Sequence, residues 1–268
     1  MPNYICVTCG TQYPESAQPP VRCPICEDER QYVNPNGQSW TTLEELRPKH
    51  RNVIEQVEPR LHRIKSEPKV GIGQYAFLIQ SPGGNVLWDC ITLIDDETIK
   101  AVKALGGIAA IAISHPHYHS TMTEWSHAFG NAPISIHEGN REWVLRPDPA
   151  VKLWEGGTCS LGDGITLIRC GGHFEGSTVL HWRDGAEGKG ALLSGDTIDI
   201  VTDTRYMTFM YSYPNYIPMN ASKVRGIIDA VEPFAFDRMY EAFGAVTQTK
   251  AKDGLRYSAE RYIRAISE

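Results

Sequence analysis

The sequence predicts an α/β protein with a small cysteine-rich module at its start. Three observations point there. Two C-x2-C pairs, Cys6/Cys9 and Cys23/Cys26, open the chain. From about residue 70, short apolar runs alternate with amphipathic segments of helical period, as in strands joined by crossover helices. Polar residues isolated beside glycines or turns stand where several of those runs end: His115, His117, His173 and Asp196.

The elements follow in order. Residues 1–36 are rich in Cys, Pro and Asn and too short to fold without a metal or disulfides. "SWTTLEELRPKH" predicts a short helix capped by Thr41 or Thr42 and ended by Pro48, and residues 50–68 read as a connector or first edge strand. The boundaries expected are thus a four-cysteine, zinc-ribbon-like module over 1–36, a helix and connector over 37–69, and an α/β domain over 70–268. "YAFLIQSPGGNVLWDC" reads as a hairpin about a Pro-Gly-Gly-Asn turn. "DDETIKAVKALGG" carries acids at a helix start and glycines at its end. "IAAIAIS" is a buried strand, and "APISIHEGNREWVL" a strand followed by a helix. "GITLIRCGGHFEGSTVLHWRD" and "GALLSGDTIDIV" read as further strands, each interrupted by Gly where it meets a polar residue; "ASKVRGIIDAVEPF" reads as a helix and "AFDRMYEAF" as a strand. "GLRYSAERYIRAIS" closes the chain as a helix with Leu255, Ala259, Tyr262 and Ile266 in one stripe. Gly71-x-Gly73 precedes no helix, which argues against a dinucleotide loop.

Composition narrows the function. With 268 residues, 41% hydrophobic and 22% charged, the chain has the balance of a soluble globular protein. A net charge of −6 argues against a phosphate-binding surface. The start lacks a basic and an apolar signal region, and no apolar run approaches the ~20 residues of a membrane span. The expectation is a cytoplasmic protein, with no nucleic-acid or membrane partner. Its seven cysteines are then reduced thiols, and Cys90, Cys159 and Cys170 are read as small core residues.

Two knuckles, Cys6-x2-Cys9 and Cys23-x2-Cys26, suit a closed tetrahedral site of four thiolates for zinc or iron. Zinc in a structural role is the default, with partner docking or rubredoxin-like electron transfer as the other roles. "ISHPHYHS" follows a strand end, and imidazole is the commonest metal ligand. His173 in "CGGHFEGST" and Asp196 in "LLSGDT" also stand at Gly-rich strand ends, so these loops can converge on one ion. His137, His127, His50, His62 and His181 read as structural or surface residues. The aromatic stretch "RYMTFMYSYPNYIPMN" and Trp154 could pack inward or border a substrate pocket.

In order, His115-x-His117, Gly172-His173-x-x-Gly176-Ser177 and Gly195-Asp196 resemble the metallo-β-lactamase superfamily. Asp89, ending "NVLWD", is similar to the structural aspartate that family places before its first helix. The resemblance covers roughly residues 70–268 and implies an αββα four-layer sandwich with a metal site at one edge. Two departures matter. The family signature H-x-H-x-D-H continues here as His119 and Ser120, and the family's last ligand, a His before Gly, aligns with Phe243. The resemblance therefore implies a mononuclear site built on His115, His117 and His173 with Asp196 beside it. His119 stands open as a supplementary ligand, a proton shuttle or a hydrogen-bond partner.

The function implied is a metal-dependent hydrolase, with metal-bound water or hydroxide attacking an ester, thioester, lactone or amide and Asp196 orienting or deprotonating the water. Zinc or iron would serve, a small molecule is the expected partner, and a homodimer is compatible with the sequence. Two alternatives stand. One is a mononuclear iron oxygenase similar to the persulfide dioxygenases, with His115, His173 and Asp196 as the facial triad. The other is a metal-stabilised binding protein without catalysis.

Overall fold

The computed structural model describes residues 1–267; Glu268, the last residue of the span expected for the α/β domain, lies outside them. The chain divides into two compact units, Met1–Ile136 with Arg141–Leu153, and His137–Asn140 with the chain from Trp154 on.

The first unit carries a seven-stranded sheet. In spatial order its strands are Val151–Trp154, Ile134–His137, Ala110–Ala112, Val86–Trp88, Ala76–Ile79, Leu61–Glu67 and Arg51–Glu58. The Pro-Gly-Gly-Asn turn joins Ala76–Ile79 to Val86–Trp88 as an antiparallel hairpin, with Phe77 opposite Trp88. Helix Asp96–Ala104 then returns the chain to Ala110–Ala112, parallel to Val86–Trp88. Asp95 caps that helix, its carboxylate accepting from the Thr98 N–H at 2.7 Å, and Gly106 and Gly107 leave it with φ of 107° and 74°. Of the two readings of residues 50–68, the structure agrees with the edge strand and not the connector. Residues 51–67 form a full hairpin at the sheet edge, with Ile54 opposite Ile64. Its Arg, Lys and Glu side chains are the charges an edge strand carries, and they blur the alternation by which a strand is read.

A second, three-stranded sheet in this unit holds the cysteine module: Asn3–Cys6 pairs with Gln12–Glu15 on one side and Trp40–Thr41 on the other. The module thus extends past residue 36. Thr42 caps the short helix Leu43–Leu46, accepting from the Glu45 N–H at 3.3 Å.

The second unit is built on a six-stranded sheet, in order Thr158–Gly162, Ile165–Arg169, Thr178–Trp182, Ala191–Leu193, Arg238–Tyr240 and Val246–Thr247. Its parallel pair, Ala191–Leu193 with Arg238–Tyr240, encloses helix Ala221–Val231 in the crossover. That helix and Ala251–Ser267 bury Val224, Ile227, Leu255 and Ala259 in one core with Val179, Leu192 and Met239. Tyr262 packs on this core, and so does Ile263; Ile266 is exposed, because the last turn of the helix runs past the core. The segment after His137, expected as an α-helix, is a 3-10 helix over Glu138–Trp143. Among the described residues no helix is long and apolar enough to cross a membrane.

Candidate metal centre

The histidine loop leaves the strand Ala110–Ala112 under the control of Asp89. Asp89 sits at φ 60°, and its carboxylate accepts from the Ser114 N–H at 2.7 Å. A residue with a short polar side chain tolerates that left-handed backbone, and here the side chain also ties down the next strand's exit. His115 then caps the 3-10 turn Pro116–Tyr118. The turn sets the rings of His115 and His117 4.9 Å apart, centroid to centroid. Ser114 Oγ lies 2.9 Å from His115 Nδ1, and both imidazoles are buried.

In the second unit His173 follows Gly171 and Gly172, at φ of 67° and 85°. A Cβ at Gly172 would come within 2.9 Å of Met219 Sδ and 3.0 Å of Ile227 Cδ1, so both backbone angle and packing demand glycine. His173 Nδ1–H donates to the Tyr211 carbonyl at 2.9 Å, which makes Nε2 the nitrogen that carries the lone pair. The loop is closed by Ser177, whose Oγ accepts from the Phe174 N–H at 2.8 Å. It is also closed by Asn140, which pairs with both backbone groups of Gly176. Asp196 follows Gly195, at φ 53°, beyond the strand Ala191–Leu193. The Tyr213 hydroxyl donates to the Asp196 carbonyl at 3.1 Å.

These turns bring one ligand atom from each of His115, His117, His173 and Asp196 within 4.8 Å of one another, all four side chains buried. A tetrahedral shell with bonds of about 2.1 Å needs ligands about 3.4 Å apart, so modest side-chain rotation closes the group on a small ion. Three imidazoles and one carboxylate fit a zinc- or iron-like dication in kind as well as in number. The cysteines form the second group, at most 1% exposed. Cys6 Sγ lies 3.5 Å from Cys26 Sγ, and Cys9 Sγ lies 3.6 Å from Cys23 Sγ. A tetrahedron of thiolates at about 2.3 Å requires edges of about 3.8 Å, so this group also fits a metal. The Gln38 amide donates to Cys6 Sγ at 2.9 Å, the kind of contact that settles a thiolate. Hydrogen bonding from Cys23, then Cys26 and Cys9, holds the Cys6 thiol far below the usual range, while burial pushes Cys9 well up.

The remaining candidates fall elsewhere. His119 Nδ1–H donates to the Trp143 carbonyl at 3.1 Å, and burial pushes its pKa down to about 3, so the ring is neutral at pH 7. Ser120 takes φ 43°, and its hydroxyl accepts from the Gln74 amide at 2.9 Å. Phe243 is exposed. His137 donates to the Gly156 carbonyl and accepts from the Gly139 N–H. His127 meets Asp148 at 2.9 Å on the surface. Of the aromatic stretch, Met207, Phe209 and Met219 are core residues, whereas Tyr216 is 85% exposed.

Two carboxyl groups escaped the sequence reading. Burial, with the charge of Asp196, pushes Asp199 up to about 6. Burial also pushes Glu241 up to about 7, against the hydrogen bonds it accepts from the N–H groups of Ala245 and Phe243. For Glu241 the sequence signal is a lone acid inside the apolar run "MYEAF".

Together, this sheet topology and the group of three histidines and one aspartate define a protein of the metallo-β-lactamase fold. The structural comparison bears that out. The chain superposes on the metallo-β-lactamase VMB-1 with a TM-score of 0.59 at 12% identity, covering 80% of this chain and 98% of that one. A B3 metallo-β-lactamase with an active-site glutamic acid gives 0.56 at 18% identity, over 80% and 88%. The enzyme from Pontibacter korlensis gives 0.57 at 13%, over 79% and 99%. No family model matches the sequence. The chain is 52% identical over 269 residues to "Uncharacterized protein YmaE" of Bacillus subtilis (strain 168), spanning 100% of this chain and 98% of that protein. It belongs to the YmaE family.

Proposed function

We propose that this chain is a metal-dependent hydrolase that acts on an ester, thioester, lactone or amide of a small molecule. The observation that carries the reading is the convergence of four buried ligand atoms from His115, His117, His173 and Asp196 within 4.8 Å. A dication held there supplies a water of pKa about 7 and a Lewis acid for the carbonyl oxygen. The protein's own part is positioning. Asp89 anchors the loop of His115 and His117, the Tyr211 carbonyl sets the His173 tautomer, and Tyr213 holds the backbone of Asp196. With the three histidines holding the ion, the Asp196 carboxylate would orient water or accept its proton.

A single ion is the favoured state. Among the described residues, the only groups of three or more His, Cys, Asp or Glu with ligand atoms this close are the histidine–aspartate set and the four-cysteine set. His119, in the position of a second-metal ligand, gives its Nδ1–H to the Trp143 carbonyl, and the Ser120 hydroxyl pairs with Gln74. Zinc at both groups is the expected content.

The test is metal analysis of the purified chain, with turnover on a panel of esters, thioesters, lactones and amides. About two zinc ions per chain, falling to one in His173→Ala with loss of hydrolysis, is the expected result. Iron at the His group with oxygen uptake on thiols or persulfides would overturn the hydrolase reading. Full activity in His173→Ala would overturn the site.

A further inference from the structure

The cysteine module is tied into the turn that carries the histidines. Gly71, at φ 59°, leaves space for the first knuckle: a Cβ there would stand 3.0 Å from Gly10 N and 3.1 Å from the Cys9 carbonyl carbon. Ile72, Trp143 and Leu145 pack on the buried cysteines. From this seat the module reaches the turn by two routes. The Gln12 N–H donates to the Ser120 carbonyl at 3.1 Å. The Trp143 carbonyl accepts from His119, and the Arg30 guanidinium, paired with Asp28 at 2.6 Å, lies 5.4 Å from the centre of the Trp143 ring. The junction is tight: its cavity, bordered by Gln12, His119, Ser120 and Arg146, measures ≈ 10 Å³. Ser120 is held in a left-handed conformation that a non-glycine residue adopts only when its surroundings impose it.

We propose that the four-cysteine module is a positioning element for the His group, and that a formed module keeps His115 and His117 in the geometry that holds an ion. Gln12 is its principal contact, acting through its backbone N–H. The proposal rests on the metal-site reading above. It also gives Gly71 a purpose that a nucleotide loop does not: a bed for the first cysteine knuckle.

Gln12 opens its strand, and its N–H goes to Ser120, so proline there removes that one bond. Gln12→Ala removes only the side chain, with its contacts to Glu124 and Arg146. Each full-length variant is loaded with zinc in the cysteine module and cobalt(II) in the His group. The readouts are the visible d–d bands of the cobalt and its loss to a competing chelator, and all-cobalt protein reports the module by its thiolate charge-transfer band. In Gln12→Pro the d–d bands shift and cobalt retention falls at least tenfold while the thiolate band persists; Gln12→Ala behaves as wild type. Wild-type protein titrated with a mercurial gives a second measurement. The d–d bands of the His group change in step with release of the module's zinc. Unchanged bands and retention in Gln12→Pro, or in mercurial-treated wild type, overturn the proposal alone. Wild-type protein that takes up no cobalt at the His group overturns the metal-site reading and this proposal with it.

Discussion

Asp89 is the residue whose removal best tests how the histidine loop is held. It is 1% exposed, sits at φ 60°, and accepts from the Ser114 N–H at 2.7 Å. Alanine there leaves a buried N–H without its acceptor, at a cost of about 1–3 kcal/mol. A left-handed alanine adds roughly 1–2 kcal/mol. Release of a buried carboxylate offsets part of this. The net expectation is a loss of about 2–4 kcal/mol for Asp89→Ala. Asn keeps an acceptor and tolerates the backbone, so Asp89→Asn loses about 1 kcal/mol or less. The assay is urea unfolding of metal-loaded protein at fixed free metal, since a bound ion adds its own stability. Metal retention is followed in parallel, and Asp89→Ala is expected to weaken it. Asp89→Ala within about 0.5 kcal/mol of wild type would refute the reasoning, because only surface changes behave that way. So would an Asn variant as unstable as the Ala variant.

Other outcomes follow from burial and bonding. Phe209→Ala empties a site fully enclosed in the second core and packed edge-on against Tyr262, and should lose about 3–5 kcal/mol. Tyr216→Ala should leave stability unchanged, and equal losses in the two would contradict the packing described. Cys23→Ser should give protein that fails to hold zinc in the module and unfolds at lower temperature, measured by metal content and Tm. His181 is pushed below the ordinary histidine range by burial, with its Nε2–H donating to the Ala235 carbonyl at 2.7 Å. Its folded pKa lies below its unfolded one, so the unfolded chain takes the proton first as pH falls. Its contribution is present above about pH 6.5 and is lost as the pH falls through the folded pKa. His181→Gln should flatten the drop in Tm between neutral and mildly acid pH, and an identical drop would show that the group does not titrate on unfolding.

What could be read along the chain was local. The knuckles declare themselves because two thiolates three positions apart fit one ion, whatever surrounds them. Thr42 and Asp95 cap helices through bonds three residues long, and the Pro-Gly-Gly-Asn turn sets its own hairpin. The His115, His117, His173 and Asp196 positions were visible for a similar reason: glycines and turns isolate a polar residue where a strand ends. The direction of His119 could not be seen in this way. It depends on the Trp143 carbonyl, 24 residues on, and on a backbone turn at Ser120 that Gln12 holds from more than 100 residues back. Nor could the buried state of Glu241, the half-buried state of Asp199, the inward packing of Phe209, or the place of residues 51–67 in a seven-stranded sheet. A charged edge strand and an aromatic loop look alike in sequence whether they face solvent or protein. Pairing and burial are decided by segments far apart in the chain, and only their meeting in space fixes which way a side chain turns.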